Sequence, residues 1–429
     1  MSEKESEQYY DQVHQQSPDV NVQENETMQQ ALHSMEQPEK EMTPEEREEF
    51  EKVVEGARNV IRAFDLKRNG KNTKGENLII VTDAGVDPMV RRALEQAGHE
   101  AAGVDFRLVV SSAPEHAAQD FQETIDEKIK HADAVLYATS ISRSHSKGTV
   151  DLISDHPDER ISQLQQHRKQ RRGVPYPAQM RLISITSASK EILTEGASQE
   201  NPADLARRSE RLAEFMPGVK LLHITTPEGT DLVLKPKKTA TPEYENGKVD
   251  KPGKLANFPM GEWSTAVDLA ETHGTLVVDG AVTMLGRLPE PITVNIEHGV
   301  AVSITGGASG DRVRSILEQA NADLRAKEPD NPANAFRVAE IGIGTNSKAF
   351  RTSPEGKKIS PPTSLEAEKG YGTIHIALGK NSIFNVPKTD PDRNSIPIHL
   401  DHVVMHPEVV AEMEDGRKIT MITNGEFTF

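Results

Sequence analysis

Five ionisable side chains in the second half of the chain stand among apolar residues or glycines, where a charge must have a partner. They are Glu262 in "NFPMGEW" (257–263), Glu340 in "FRVAEIGIGTN" (336–346), His375 in "GTIHIALG" (372–379), and His399 with Asp401 in "IPIHLDHVV" (396–404). Strand alternation sets His399 and Asp401 on one face and Ile398 and Leu400 on the other. The same rule puts His375 with Thr373 and Ala377, opposite Ile374, Ile376 and Leu378. Pro259 and Gly261 suggest a rigid turn that presents Glu262. A strand through "FRVAEIG" would place Glu340 on the face of Phe336 and Val338, where a carboxylate without a partner is costly. The chain has no cysteine, so any protein-bound metal must take N/O ligands. Two Glu, two His and one Asp could hold a pair of divalent cations.

Taken singly, each of these groups is more often a hydrogen-bonded structural residue than a ligand, and a His-x-Asp spacing arises readily by chance. His145, in "ATSISRSHSKG" (138–148), reads equally well as a polar loop histidine between serines. The positions of these groups therefore depend on the elements that carry them.

With 429 residues, the chain has room for two domains with separate cores. Hydrophobic residues make up 35% and charged residues 27%, and no apolar run is long enough to span a bilayer. The N-terminus lacks an apolar signal core, so a cytoplasmic protein without membrane partners is expected. A net charge of −17 opposes nucleic-acid binding. The basic run "QQHRKQRRG" (165–173) reads as a solvated helix end.

Residues 1–42 are polar and acidic, without a sustained period, and are expected to be a disordered tail. Residues 43–220 read as a Rossmann-like α/β domain. It opens on a helix with Thr43, Pro44 and Glu46 as a capping box, and continues with buried strands at 77, 106–110, 132–140, 180–186 and 219–226 in a mainly parallel sheet. There is neither a G-x-G-x-x-G nor a Walker A sequence to support a nucleotide cofactor. Residues 221–429 read as an α+β metal-site domain: short strands joined by turns at Asp279-Gly280, Pro289–Pro291 and His298-Gly299, one helix through Val313 and Leu317, and an antiparallel or barrel-like sheet.

"NFPMGEW", "GTLVVDGAV", "AEIGIGTN", "GTIHIALG" and "IHLDHVVMHP", in this order, resemble the aminopeptidase T/S family of metallopeptidases. "TDAGVDPMVRRAL", "TSISRSHSKG" and "TTPEGTDLVL" extend the likeness to the first half. The resemblance implies an N-terminal α/β domain, a homodimer, and two cocatalytic divalent metals (Zn, Co, Mg or Mn) held by Glu262, Glu340, His375, His399 and Asp401. A metal-activated water would then hydrolyse the N-terminal peptide bond of a small peptide, with Glu262 or Glu340 relaying the proton.

One position departs from that pattern. The peptidases carry a catalytic tyrosine seven residues after the first histidine, and here that position is Ser382, with Tyr371 the nearest substitute. A neighbouring branch of the superfamily, the 2,5-dihydroxypyridine 5,6-dioxygenase type, holds Fe(II) with two histidines and an aspartate. His375, His399 and Asp401 would map to those ligands. The sequence thus supports a metallo-aminopeptidase-like hydrolase first, an Fe(II) ring-cleaving dioxygenase second, and a metal-stabilised binding protein without catalysis third.

Overall fold

The structure, a computed structural model, describes residues 42–66, 75–111, 129, 132–140, 180–185, 187–251 and 253–429. The expected tail (all but residue 42), His145 and the basic run at 165–173 lie outside these residues. The chain forms two compact units, one comprising Met1–Leu193 and Val249–Asn257, the other Thr194–Lys248 and Phe258–Phe429.

In the first unit, the helix Pro44–Arg62 opens on the capping box, with Thr43 and Glu46 each bonding the other's backbone N–H. It buries Phe50, Val53, Val54, Ala57, Val60 and Ile61, the apolar face set by the 3.6-residue period. The strands Phe106–Ser111, Leu78–Asp83, Ala134–Ala138 and Arg181–Ile185 lie side by side in parallel. Leu78–Asp83 is buried along its whole length, which is why its sequence shows a continuous apolar run in place of alternation.

The second unit holds two antiparallel sheets, one of eight strands and one of seven. Leu222, Ile224, Leu232 and Leu234 from the first, and Trp263, Ile341, Ile343, Ile374, Ile376 and Leu378 from the second, share one apolar core. The helix Gly307–Lys327 adds Val313, Leu317 and Leu324 to it.

Two expectations are corrected here. Val219–Thr225 is not a strand of the parallel sheet; it pairs antiparallel with Asp231–Pro236 and Glu408–Met413 in the eight-stranded sheet. An apolar run identifies a strand but carries no information about its pairing direction. Neither large sheet closes into a barrel among the described residues: each keeps two edge strands, and burial comes from stacking one sheet on the other. No helix among the described residues is long and apolar enough to cross a membrane.

Candidate metal centre

The site lies on the seven-stranded sheet, on the face opposite the shared core. In its register Glu340 is opposite Ala377, which is opposite Asp401; Gly342 is opposite His375; and Gly344 is opposite Glu262. Directly paired residues point to the same side, so the strands Glu262–Thr265, Val338–Gly344, Ile374–Gly379 and His399–Val404 deliver all five predicted residues to one face. Val338 instead pairs with Leu378 and enters the core. A register shift between Val338 and Glu340 reverses the alternation, a bulge that re-aims one side chain. Glu340 therefore does not share the face of Val338, contrary to simple alternation.

The glycines of "EIGIG" create room. A Cβ at Gly342 would sit 2.0 Å from the His375 ring, and one at Gly344 would sit 2.0 Å from the Gly370 carbonyl oxygen. The imidazole lies directly over Gly342, and the segment at 369–370 lies over Gly344.

The predicted residues converge. His399 Nε2 lies 2.8 Å from Glu340 Oε2 and 3.2 Å from Asp401 Oδ1. His375 Nε2 lies 3.4 Å from Glu340 Oε1 and 3.5 Å from Glu262 Oε2. Ligand atoms of Glu340, His375 and Asp401 all fall within 4.8 Å of one another. The outer atoms are fixed by partners: His399 Nδ1 donates to the Lys380 carbonyl at 2.8 Å, and Thr283 Oγ1 donates to Asp401 Oδ2 at 3.0 Å. A histidine that donates from Nδ1 presents the Nε2 lone pair when neutral. His402, on the core face, is bonded through Nδ1 to the Ile376 carbonyl and takes no part.

Electrostatics favours a cation. Burial opposes every charge here, yet hydrogen bonds from both imidazoles hold Glu340 down at about 2, and Glu340 and Glu262 raise His375 to about 9. Asp401 and Glu340 push His399 well above its ordinary value, while His399 holds Asp401 well below the usual range. The carboxylates thus demand positive charge at the two Nε2 atoms, which a divalent ion can supply in place of two protons. The donors are two imidazoles and carboxylates, a set that suits divalent iron, zinc or manganese.

Sequence reasoning missed Lys369. Its ammonium, with a side chain only 2% exposed, lies 2.6 Å from Glu262 Oε1 and 3.2 Å from Glu245 Oε2. Although burial opposes its charge, Glu245, Glu262 and Glu368 hold its pKa well above the ordinary lysine value. Burial and the Asp401 carboxylate push Glu368 far up, toward the neutral acid. The lysine follows a short helix, Ser364–Glu368, and nothing in its spacing marks it. Ser382 begins a short 3-10 turn after the His375 strand. The Tyr371 ring packs edge-on against Phe427 at 4.8 Å and under the Arg208 guanidinium.

No curated protein matches the chain. Solved structures share its fold, among them the following two. A 2,5-dihydroxypyridine dioxygenase from Pseudomonas putida KT2440 is 16% identical with a TM-score of 0.60, covering 88% of this chain and 96% of that one. AmpT from Thermus thermophilus is 15% identical with a TM-score of 0.55, covering 88% of this chain and 99% of that one. Both branches of the resemblance therefore have a structural neighbour, and both are metalloenzyme groups. The family model described as NicX, 2,5-dihydroxypyridine 5,6-dioxygenase, matches residues 63–411, most of the sequence, and the chain belongs to that family.

Proposed function

We propose that this chain is a mononuclear Fe(II) enzyme that cleaves a dihydroxypyridine-like aromatic ring with dioxygen. The observation that carries the reading is the gathering of His375, His399 and Asp401 about Glu340: both Nε2 atoms approach its carboxylate, Asp401 meets His399 and lies within 4.8 Å of the His375 ligand atom, and the far atoms of His399 and Asp401 are tied to Lys380 and Thr283. Two histidines and a carboxylate on one side of an ion leave its other side open. The family match points to the same reaction class, so the dioxygenase reading, second on sequence grounds, now stands first.

A bound Fe(II) would supply the open positions at which dioxygen and the aromatic ring meet. The chain's own residues would orient and move protons. Lys380 and Thr283 fix the faces of His399 and Asp401. Glu340, freed of its imidazole hydrogen bonds once a metal took the two Nε2 atoms, would accept a substrate hydroxyl proton. Glu368, held neutral by burial, would be a proton reservoir beside Asp401.

A hydrolase is a second reading because Glu262 Oε2 also approaches His375, at 3.5 Å, and would add a carboxylate donor for a second metal. Oxygen uptake with 2,5-dihydroxypyridine after anaerobic Fe(II) reconstitution tests the first reading. Aminoacyl-p-nitroanilide hydrolysis with Zn(II) or Co(II) tests the second. We expect uptake in the first assay and silence in the other; the reverse pattern would reject the dioxygenase. Cytoplasmic residence and a homodimer are part of the same proposal.

A further inference from the structure

We infer that the Lys369 ammonium occupies the place of a second cation, making the centre mononuclear by filling its other half with a residue of the chain. This rests on the metal-centre reading above. Glu262 is the hinge of the arrangement. Its Oε2 faces His375 Nε2 at 3.5 Å, and its Oε1 bonds Lys369 Nζ at 2.6 Å.

A metal held at His375 would face one oxygen of the Glu262 carboxylate, and the ammonium holds the other. Glu245 Oε2 at 3.2 Å and Glu368 Oε2 at 4.0 Å complete the acidic surround of Nζ. Glu245 and Glu262 are the kinds of oxygen donor that a hard divalent ion takes.

The lysine is held there by its backbone. Its N–H donates to the Glu366 carbonyl at 3.1 Å, and its carbonyl accepts from Asn346 N–H at 2.8 Å. Gly344 lets the segment lie flat, since a Cβ there would come within 2.7 Å of the Lys369 carbonyl carbon. A fixed positive charge so placed repels a second divalent ion and keeps Glu262 turned toward His375. Lys369 is therefore a positioning residue that sets metal number.

The test is to count bound Mn(II) and Zn(II) by equilibrium dialysis of the full chain, comparing wild type with Lys369→Met and Lys369→Arg. Lys369→Met should bind one more equivalent than wild type, and Lys369→Arg should bind the same number as wild type. Equal counts for Lys369→Met and wild type would overturn the inference. A wild-type count of zero would instead reject the metal-centre reading, because the inference is judged by the difference between the proteins. Should Lys369→Met fail to fold, Lys369→Gln gives an independent arm. Its metal count should exceed that of wild type by one equivalent, and an equal count would overturn the inference.

Discussion

Each unit buries an ionic cluster, and the two are balanced in opposite ways. In the first, Arg181 meets Glu76 at 2.7 Å, both side chains 1% exposed, and the guanidinium also donates to the Phe64 carbonyl. There a guanidinium faces a carboxylate directly. In the second, Glu245, Glu262, Glu340 and Asp401 face the single ammonium of Lys369 and the imidazoles of His375 and His399, with Glu368 held neutral. Fixed charge leaves that cluster negative unless protons or a metal join it. A balanced pair supports structure, and an unbalanced one is built to receive a cation.

A third case completes the comparison. Asp279 is partly buried and accepts a hydrogen bond from Met405 N–H at 2.8 Å, and burial lifts its pKa to about 6. Below about pH 6 a proton supplies the balance.

These differences can be broken one at a time. The largest effect is expected from His375→Ala, which removes a donor at the unbalanced cluster. Under the dioxygenase proposal, ring-cleaving turnover should fall by more than about 100-fold while unfolding by denaturant changes little; wild-type turnover would mean that the histidine is not a ligand.

Arg181→Met removes one member of a buried ion pair and should lower stability by about 3–5 kcal/mol with the metal count unchanged. Loss of metal in that variant would show that the two clusters are not independent.

Gly342→Ala drives a methyl into the His375 ring, so strain of about 1–3 kcal/mol is expected, read as weaker metal affinity. Unaltered affinity would show that the ring can move aside.

Asp279→Asn acts only through pH. The folded-state pKa lies above the unfolded value, so the aspartate's contribution is fully present below about pH 4 and is lost as pH rises through about 6. Relative to wild type, the variant should gain up to about 3 kcal/mol across that window. A constant difference would mean that Asp279 is not protonated on folding.

Period-2 alternation made part of the site legible in advance. It places His375, His399 and Asp401 correctly because their strands are regular and their other face is aliphatic core. Glu340 was given the wrong face because a bulge at 338–340 is a property of pairing, invisible in one strand's own sequence. Lys369 left no signal at all, since its role comes from a fold that brings 369–370 against Gly344. Val219–Thr225 failed for a related reason: burial is written in composition, whereas the neighbour across the sheet is not. The glycines of "EIGIG" are the clue that could have been used, for two glycines two apart in a buried strand mark a face that something else approaches closely.

The most direct test of the central claim is anomalous diffraction at the iron edge from crystals of the anaerobically Fe(II)-reconstituted chain. The account predicts one peak per chain, bonded by His375 Nε2, His399 Nε2 and an Asp401 oxygen, with Lys369 Nζ still on Glu262. Two peaks bridged by Glu262, or a peak away from these three residues, would contradict it.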